Sequence, residues 1–315
     1  MTEETMLFRM DPDYHAFYKA SPGYDLKNLE QFRQFDYTQE KEFCRADPAV
    51  NVREKWIAGP LGKNSLKVRI YEPVERDEEM LPCLLFFHAG GFLFGSAMRH
   101  EGVCNRYCKK VGCIVVSVDY RLAPEHKMPA AFEDAYAALE WVASGAHDLN
   151  VDINRIAVGG YSAGGNLAAA VALKARDCNG PKIIFQMPMC ALLNPAETTF
   201  SSKDITTEKV WSYHYSELAR EYYLDPECEV DCYMFPGMTE DLSNLPPCFS
   251  CVGNLDPFLD ENVEYWTRLS HAGVNVEGHV IPGCFHCFEL NVPAAARSRQ
   301  VFELTYTALR RVFQK

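Results

Sequence analysis

Ser162 lies in Gly160-Tyr161-Ser162-Ala163-Gly164, a G-x-S-x-G pattern. An apolar run, Ile156-Ala157-Val158-Gly159, precedes it, and a small-residue helical pattern, Gly165-Asn166-Leu167-Ala168-Ala169-Ala170-Val171-Ala172-Leu173, follows. Strand, forced turn and helix in that order make a nucleophile elbow. The turn holds its central residue in strained backbone, so small neighbours are needed for close passage. A hydroxyl placed there stands at a strand's C-terminal end, above a helix N-terminus whose N–H groups and partial positive charge suit an oxyanion. Serine is a poor nucleophile at neutral pH and needs an adjacent base. His286, in Pro282-Gly283-Cys284-Phe285-His286-Cys287-Phe288, and Asp256, in Gly253-Asn254-Leu255-Asp256-Pro257-Phe258-Leu259-Asp260, each follow a strand-like run. An acid that orients a histidine, and a histidine that takes the serine proton, complete the chemistry of acyl transfer. Asp260 is the competing acid. Asp256 ranks first because it comes directly after the strand, and Asp260 is expected to cap a helix or support the site.

A further strand, Leu84-Leu85-Phe86-Phe87, leads into His88-Ala89-Gly90-Gly91. Glycines at a strand end let bare backbone approach a substrate and aim N–H groups at developing negative charge. Bulky residues crowd the approaches to the serine. Phe92 and Phe94 follow the glycine loop, Tyr161 precedes the nucleophile, and Trp211, Tyr213 and Tyr215 lie in a long insertion. Phe92, Phe94, Tyr161, Trp211 and Tyr215 are the candidate pocket walls. An aromatic pocket favours apolar acyl groups but limits their length, so the best substrates are expected at about two to four acyl carbons.

The elements that must hold these residues can be read from periodicity. Leu66-Lys67-Val68-Arg69-Ile70-Tyr71 alternates as a half-buried strand does. The Leu84–Phe87 run and Ile114-Val115-Val116-Ser117-Val118 are continuously apolar, as strands covered on both faces are. Strand patterns also recur before Ser162, at 183–188, at 248–253 and at 276–281. Helical patterns lie between them, with one at 129–144 and a last one at about 294–313. Alternation of this kind implies an α/β architecture: a mostly parallel central sheet with helices on both faces. Residues 195–240 break the rhythm and are expected to form a helical cap over the active site, and residues 1–55 stand apart as a polar and aromatic N-terminal segment. The core is then 56–194 and 241–315.

The chain has 315 residues, 48% of them hydrophobic, and a net charge of −12. That supports a large core, and acidity without basic clusters argues against nucleic acid and anionic membrane as partners. The acidic opening Met1-Thr2-Glu3-Glu4-Thr5-Met6 lacks the features of a signal peptide, and no stretch has the length of a membrane span. With thirteen cysteines, this points to a reducing cytoplasm or an anaerobic habitat. The pairs Cys248/Cys251 and Cys284/Cys287 are too widely separated for a zinc ribbon, so the cysteines are read as reduced and structural, without metal.

These segments together resemble the hormone-sensitive-lipase-like esterases of the α/β-hydrolase fold, from about residue 65 to the end. The resemblance rests on His88-Ala89-Gly90-Gly91, Asp119-Tyr120-Arg121-Leu122-Ala123-Pro124-Glu125-His126, Gly160–Asn166, Leu245-Pro246-Pro247, Asp256-Pro257-Phe258-Leu259-Asp260 and His286-Cys287-Phe288. It implies that Ser162 is the nucleophile, His286 the base and then acid, and Asp256 its partner. It also implies an oxyanion hole from the N–H groups of Gly90, Gly91 and Ala163, a cap to which residues 1–55 contribute beside 195–240, no cofactor, a small-molecule ester substrate, and a homodimer paired through the edge strand near 276–281. Three residues depart from the family pattern. Ala89 stands where a first glycine is usual, Tyr161 where an acid is common before the serine, and Cys287 where glycine is common after the histidine. An amidase or deacetylase on small acetylated substrates, and a non-catalytic receptor such as the plant gibberellin receptors of this fold, remain as alternative readings.

Overall fold

Continuous apolar runs become the centre of the sheet. A computed structural model describes residues 1–43, 46–76, 78–145, 149–196 and 198–314. Among these residues eight strands form one sheet: β1 (Val50–Ala58), β2 (Ser65–Pro73), β3 (Leu81–Phe87), β4 (Ile114–Asp119), β5 (Val151–Tyr161), β6 (Phe185–Met189), β7 (Cys248–Leu255) and β8 (Val276–Phe285). Their order is β1-β2-β4-β3-β5-β6-β7-β8. Only the β1–β2 and β2–β4 pairings are antiparallel; β4, β3, β5, β6, β7 and β8 pair in parallel. This is the expected α/β architecture, a mostly parallel central sheet with helices on both faces. Along β3, Leu84 and Phe86 enter one core layer while Leu85 and Phe87 enter the other. That two-sided burial is why the strand shows no polar alternation.

Helices at Ala130–Ala143, Ala163–Asp177 and Leu259–His271 cover one face, and those at Glu101–Tyr107 and Ala296–Phe313 cover the other. β1 is the unexpected element. It carries Arg53, Glu54 and Lys55 on the sheet's outer edge, where charge is tolerated and hydrophobic alternation is weak. It also spans the boundary expected near residue 55. β8 is the opposite edge strand, with Val280 exposed. Among the described residues no helix is long and apolar enough to cross a membrane.

The parallel strands bring their C-terminal ends to one side of the sheet, and two remote segments meet above that side. One contains the helices Glu3–Arg9, His15–Ala20 and Leu29–Phe43; the other contains Phe200–Asp204 and Tyr213–Tyr223. They are joined by the hydroxyls of Tyr18 and Thr207 (2.8 Å), by the Ser21 hydroxyl donating to the Lys209 carbonyl (2.6 Å), and by the Tyr24 N–H donating to the Tyr215 hydroxyl (3.0 Å). Arg33 reaches from the Leu29–Phe43 helix to the Leu93 carbonyl (2.6 Å), the Ala123 carbonyl and Glu125 (2.8 Å). The N-terminal segment therefore holds the loop that follows β3.

Candidate active site

Ser162 occupies the sharp turn between β5 and the Ala163–Asp177 helix, with φ 58 and ψ −117. A β-carbon pays for a positive φ of this kind only where surrounding contacts impose it. Those contacts are visible: the Ser162 N–H donates to the Met189 carbonyl (2.9 Å), and the Ser162 carbonyl accepts from Asn166 N–H (3.0 Å). Close passage explains the small neighbours. A Cβ on Gly164 would collide with the Phe87 carbonyl, and one on Gly160 with the Gly164 carbonyl. Asn166 anchors the helix by donating its amide to the carbonyls of Leu192 and Met234, both at 2.8 Å.

His286 follows β8 and Asp256 follows β7. The His286 Nδ1–H donates to Asp256 Oδ2 at 2.8 Å, and both residues are buried. The other Asp256 oxygen accepts the Phe258 N–H at 2.9 Å, which fixes the carboxylate's orientation. Burial opposes charge on the His286 ring, but the Asp256 carboxylate, with Cys190 nearby, prevails and holds the imidazole well above its ordinary range. Phe258 meets the His286 ring edge-on, with centroids 5.1 Å apart. Asp260 does not join this pair. Its Oδ2 accepts the Ser201 N–H (2.8 Å), while its own N–H donates to the Ser201 hydroxyl (3.1 Å). It thus ties the Phe200–Asp204 helix to the acid loop, the supporting position expected for it.

Gly90 and Gly91 follow β3 with φ +137 and +59. A Cβ on Gly91 would strike the Trp211 ring, so the loop's bare backbone lies directly beneath that indole. The Ala89 N–H donates to His100 Nε2 at 3.1 Å, so the alanine in the first position of the loop spends its donor on structure. His88 stacks on Tyr120, centroids 4.1 Å apart, and burial pushes it down to about 3. It is a neutral spacer under the loop. Tyr120 donates its hydroxyl to the His88 carbonyl (2.8 Å), and Arg121 pairs with buried Asp134 (2.9 Å). The Asp119–His126 block is therefore a support for the glycine loop, with the Ala123 N–H also donating to the Phe92 carbonyl (2.9 Å).

The five candidate wall residues separate. Trp211 contacts the glycine loop and lies 6.3 Å, centroid to centroid, from His286. Phe94 packs on Tyr24, Phe32 and Trp211, and Tyr215 packs on Tyr24 and Trp211, so both stand behind the indole. Phe92 meets Tyr223 edge-on. Tyr161 is a correction. Successive strand side chains point to opposite faces, and this one enters the core, where it is fully buried, contacts Phe86 and His100, and shares a 3.0 Å hydrogen bond with Tyr107. It is not a pocket wall.

Two residues near the histidine escape sequence reasoning. Glu289, one turn after His286, is buried and pushed up to about 7 by that burial. Cys190, just past β6, places its sulfur 3.6 Å from that of Cys287. Neither has a motif; sequence shows only that Cys287 departs from the usual glycine. No disulfide links the described cysteines, and Cys44 lies outside the described residues.

Comparison with known proteins places this geometry in context. A family model described as the alpha/beta hydrolase fold matches residues 84–290. The esterase LipI of Mycobacterium tuberculosis is 38% identical over 238 residues, covering 74% of this chain and 73% of that protein. The carboxylesterase NlhH of the same organism is 37% identical over 260 residues, covering 80% of each. A solved bacterial heroin esterase superposes with a TM-score of 0.93 at 34% identity, covering 98% of this chain and 99% of that one.

Proposed function

Since the chain belongs to the hormone-sensitive-lipase-like esterases of the α/β-hydrolase fold and is a carboxylesterase, we propose that Ser162, His286 and Asp256 carry its reaction and that its substrates are short-chain acyl esters. The observation that carries the triad is the buried 2.8 Å bond from His286 Nδ1 to Asp256, opposite a serine held at φ 58 on a helix N-terminus. The Nδ1–H bond leaves Nε2 as the ring's basic nitrogen. It takes the Ser162 proton as the hydroxyl oxygen attacks the ester carbonyl, and Asp256 stabilises the imidazolium. The tetrahedral oxyanion accepts N–H groups from Gly90, Gly91 and Ala163, the last at the helix's first position, where the dipole adds to the field. The imidazolium then protonates the leaving alcohol. Water attacks the acyl-enzyme with the same base and frees the acid.

Short acyl length is supported by closure. Ser162 and His286 are 4% and 5% exposed, and Trp211, itself 5% exposed, closes over Gly91. The N-terminal helices from Glu3–Arg9 to Leu29–Phe43 and the insertion at 195–240 act as the cap. Each buried methylene gains about 0.8 kcal/mol, and overpacking reverses the gain once a chain reaches the indole. The test is hydrolysis of p-nitrophenyl esters from acetyl to decanoyl with a Ser162→Ala control. The reading expects kcat/KM to peak at about two to four acyl carbons. It expects the control to lose roughly 10³-fold or more while keeping its fold. A profile rising to decanoate rejects the closed pocket, and a Ser162→Ala enzyme with a tenth of wild-type turnover rejects the nucleophile.

A further inference from the structure

The Cys190 and Cys287 sulfurs lie 3.6 Å apart, and they and a His286 ring nitrogen all fall within 4.8 Å of one another. All three residues are buried, and among the described residues this is the one group of three such side chains placed to hold a metal ion. Both cysteines sit in left-handed backbone, φ 36 and 55, a conformation that glycine adopts without a Cβ penalty. Backbone convenience therefore does not account for a thiol at either position. The Cys190 loop is also held in place. The Cys190 N–H donates to the Cys251 carbonyl (2.9 Å), and Asn262 brackets Ala191, accepting its N–H at 3.1 Å and donating to its carbonyl at 2.8 Å.

We propose that Cys190, Cys287 and His286 form an inhibitory site for a thiophilic divalent cation, with Zn²⁺ as its representative. Tetrahedral zinc with bonds of about 2.3 Å to sulfur sets two thiolates about 3.8 Å apart, so this pair needs almost no movement, whereas a disulfide would have to close the gap to about 2.05 Å. Binding releases the two thiol protons to solvent. Both sulfurs coordinate as thiolates and neutralise the ion, one ring nitrogen donates its lone pair, and water fills the fourth position. The adjacent Asp256 carboxylate favours a cation. Inhibition rests on the triad reading above, because each ring nitrogen has a catalytic duty: Nδ1 binds Asp256 and Nε2 serves Ser162. Whichever one the metal takes, turnover and metal binding exclude each other.

The test uses the full chain, stripped of metal, with two readouts. ZnCl₂ titrated into p-nitrophenyl acetate hydrolysis is expected to lower turnover by about tenfold or more at saturation, with recovery on EDTA. CoCl₂ is expected to give a thiolate-to-cobalt charge-transfer band. Cys190→Ser and Cys287→Gly, the latter suited to its left-handed backbone, are expected to lose the band and most of the zinc sensitivity of the turnover each retains. Ser162→Ala is expected to be inactive yet to keep the band, so a failure of the triad reading is seen separately from a failure of the site. Zinc inhibition that is equal in wild type and both cysteine variants, or no band in the wild type, overturns the site. So does inactivation by peroxide, but not by zinc, that depends on Cys190, since that outcome makes the pair a disulfide.

Discussion

The floor and the roof of this site are assembled in opposite ways. The floor takes Ser162, Asp256 and His286 from the ends of β5, β7 and β8. Each is fixed by nearby atoms: Ser162 by the Met189 carbonyl of the neighbouring strand, Asp256 by the N–H two residues on, and His286 by Asp256. The roof joins residues 189 and 191 positions apart, Tyr18 to Thr207 and Tyr24 to Tyr215. A parallel sheet aligns its strand ends as a consequence of pairing, so the chemistry inherits its geometry from the fold. The roof depends on contacts between distant segments, which close long loops and can open without disturbing the strands beneath. Changes to the floor should therefore appear in turnover, and changes to the roof in substrate preference.

The sharpest separation comes from the two acids, four residues apart. Asp256→Asn leaves the ring in the wrong tautomer and is expected to lower turnover by roughly 10⁴-fold. Asp260→Asn loosens the Phe200–Asp204 helix, part of the roof, and is expected to cost much less, chiefly in KM. Greater damage from Asp260 would move the acid role to the roof side and break the distinction. pH gives an independent reading. Burial disfavours the His286 imidazolium, but Asp256 outweighs it and raises the group above its ordinary 6.5. On the proposed triad the base must be neutral, so turnover should fall as pH drops through that raised value. In Asp256→Asn the acidic limb of the residual rate should move to lower pH.

Trp211 tests the roof. It lies over Gly91 and near His286 while its Nε1–H donates to the Ser216 hydroxyl (3.0 Å). Trp211→Ala is expected to lower kcat/KM for acetyl esters by about tenfold, through lost packing around a small acyl group, and to raise the octanoyl-to-acetyl ratio by a similar factor. An unchanged chain-length profile would show that the indole belongs to the roof's own core and leaves the pocket open.

The same contrast explains what sequence alone discloses. β3 and β4 are legible because burial on both faces leaves continuous apolar runs. Ser162 and Asp256 are legible because each directly follows a largely apolar strand run, whereas His286 follows the edge strand β8, whose pattern is mixed, and is legible from its place after the last strand. β1 is hidden by Arg53, Glu54 and Lys55 on an edge that tolerates charge. Tyr161 misleads because adjacency in sequence puts it beside the serine while strand alternation turns it into the core. Arg33, which holds the Leu93 carbonyl, and Cys190, which meets Cys287 across 97 positions, are set by tertiary approach and have no local pattern.

The smallest expected effect is at Glu289, which tests whether everything in the floor serves catalysis. The residue follows His286 by three positions and is buried, and burial pushes its carboxyl from 4.5 up to about 7. Between those two values the native state holds a proton that the unfolded chain has released. Folding stability must therefore decline as pH rises from 4.5 to 7, with the deficit complete above the folded value. The cost of an ionised carboxylate at this position is at most about 3 kcal/mol. Glu289→Gln keeps the neutral shape and removes the titration. Its stability should match wild type most closely near pH 4.5 and exceed it increasingly toward pH 8, in urea unfolding at each pH, with ester turnover near wild type throughout. Equal pH slopes in the two proteins would mean that Glu289 stays ionised in the folded state. A large loss of turnover would instead make it a working part of the floor, positioning His286 from below.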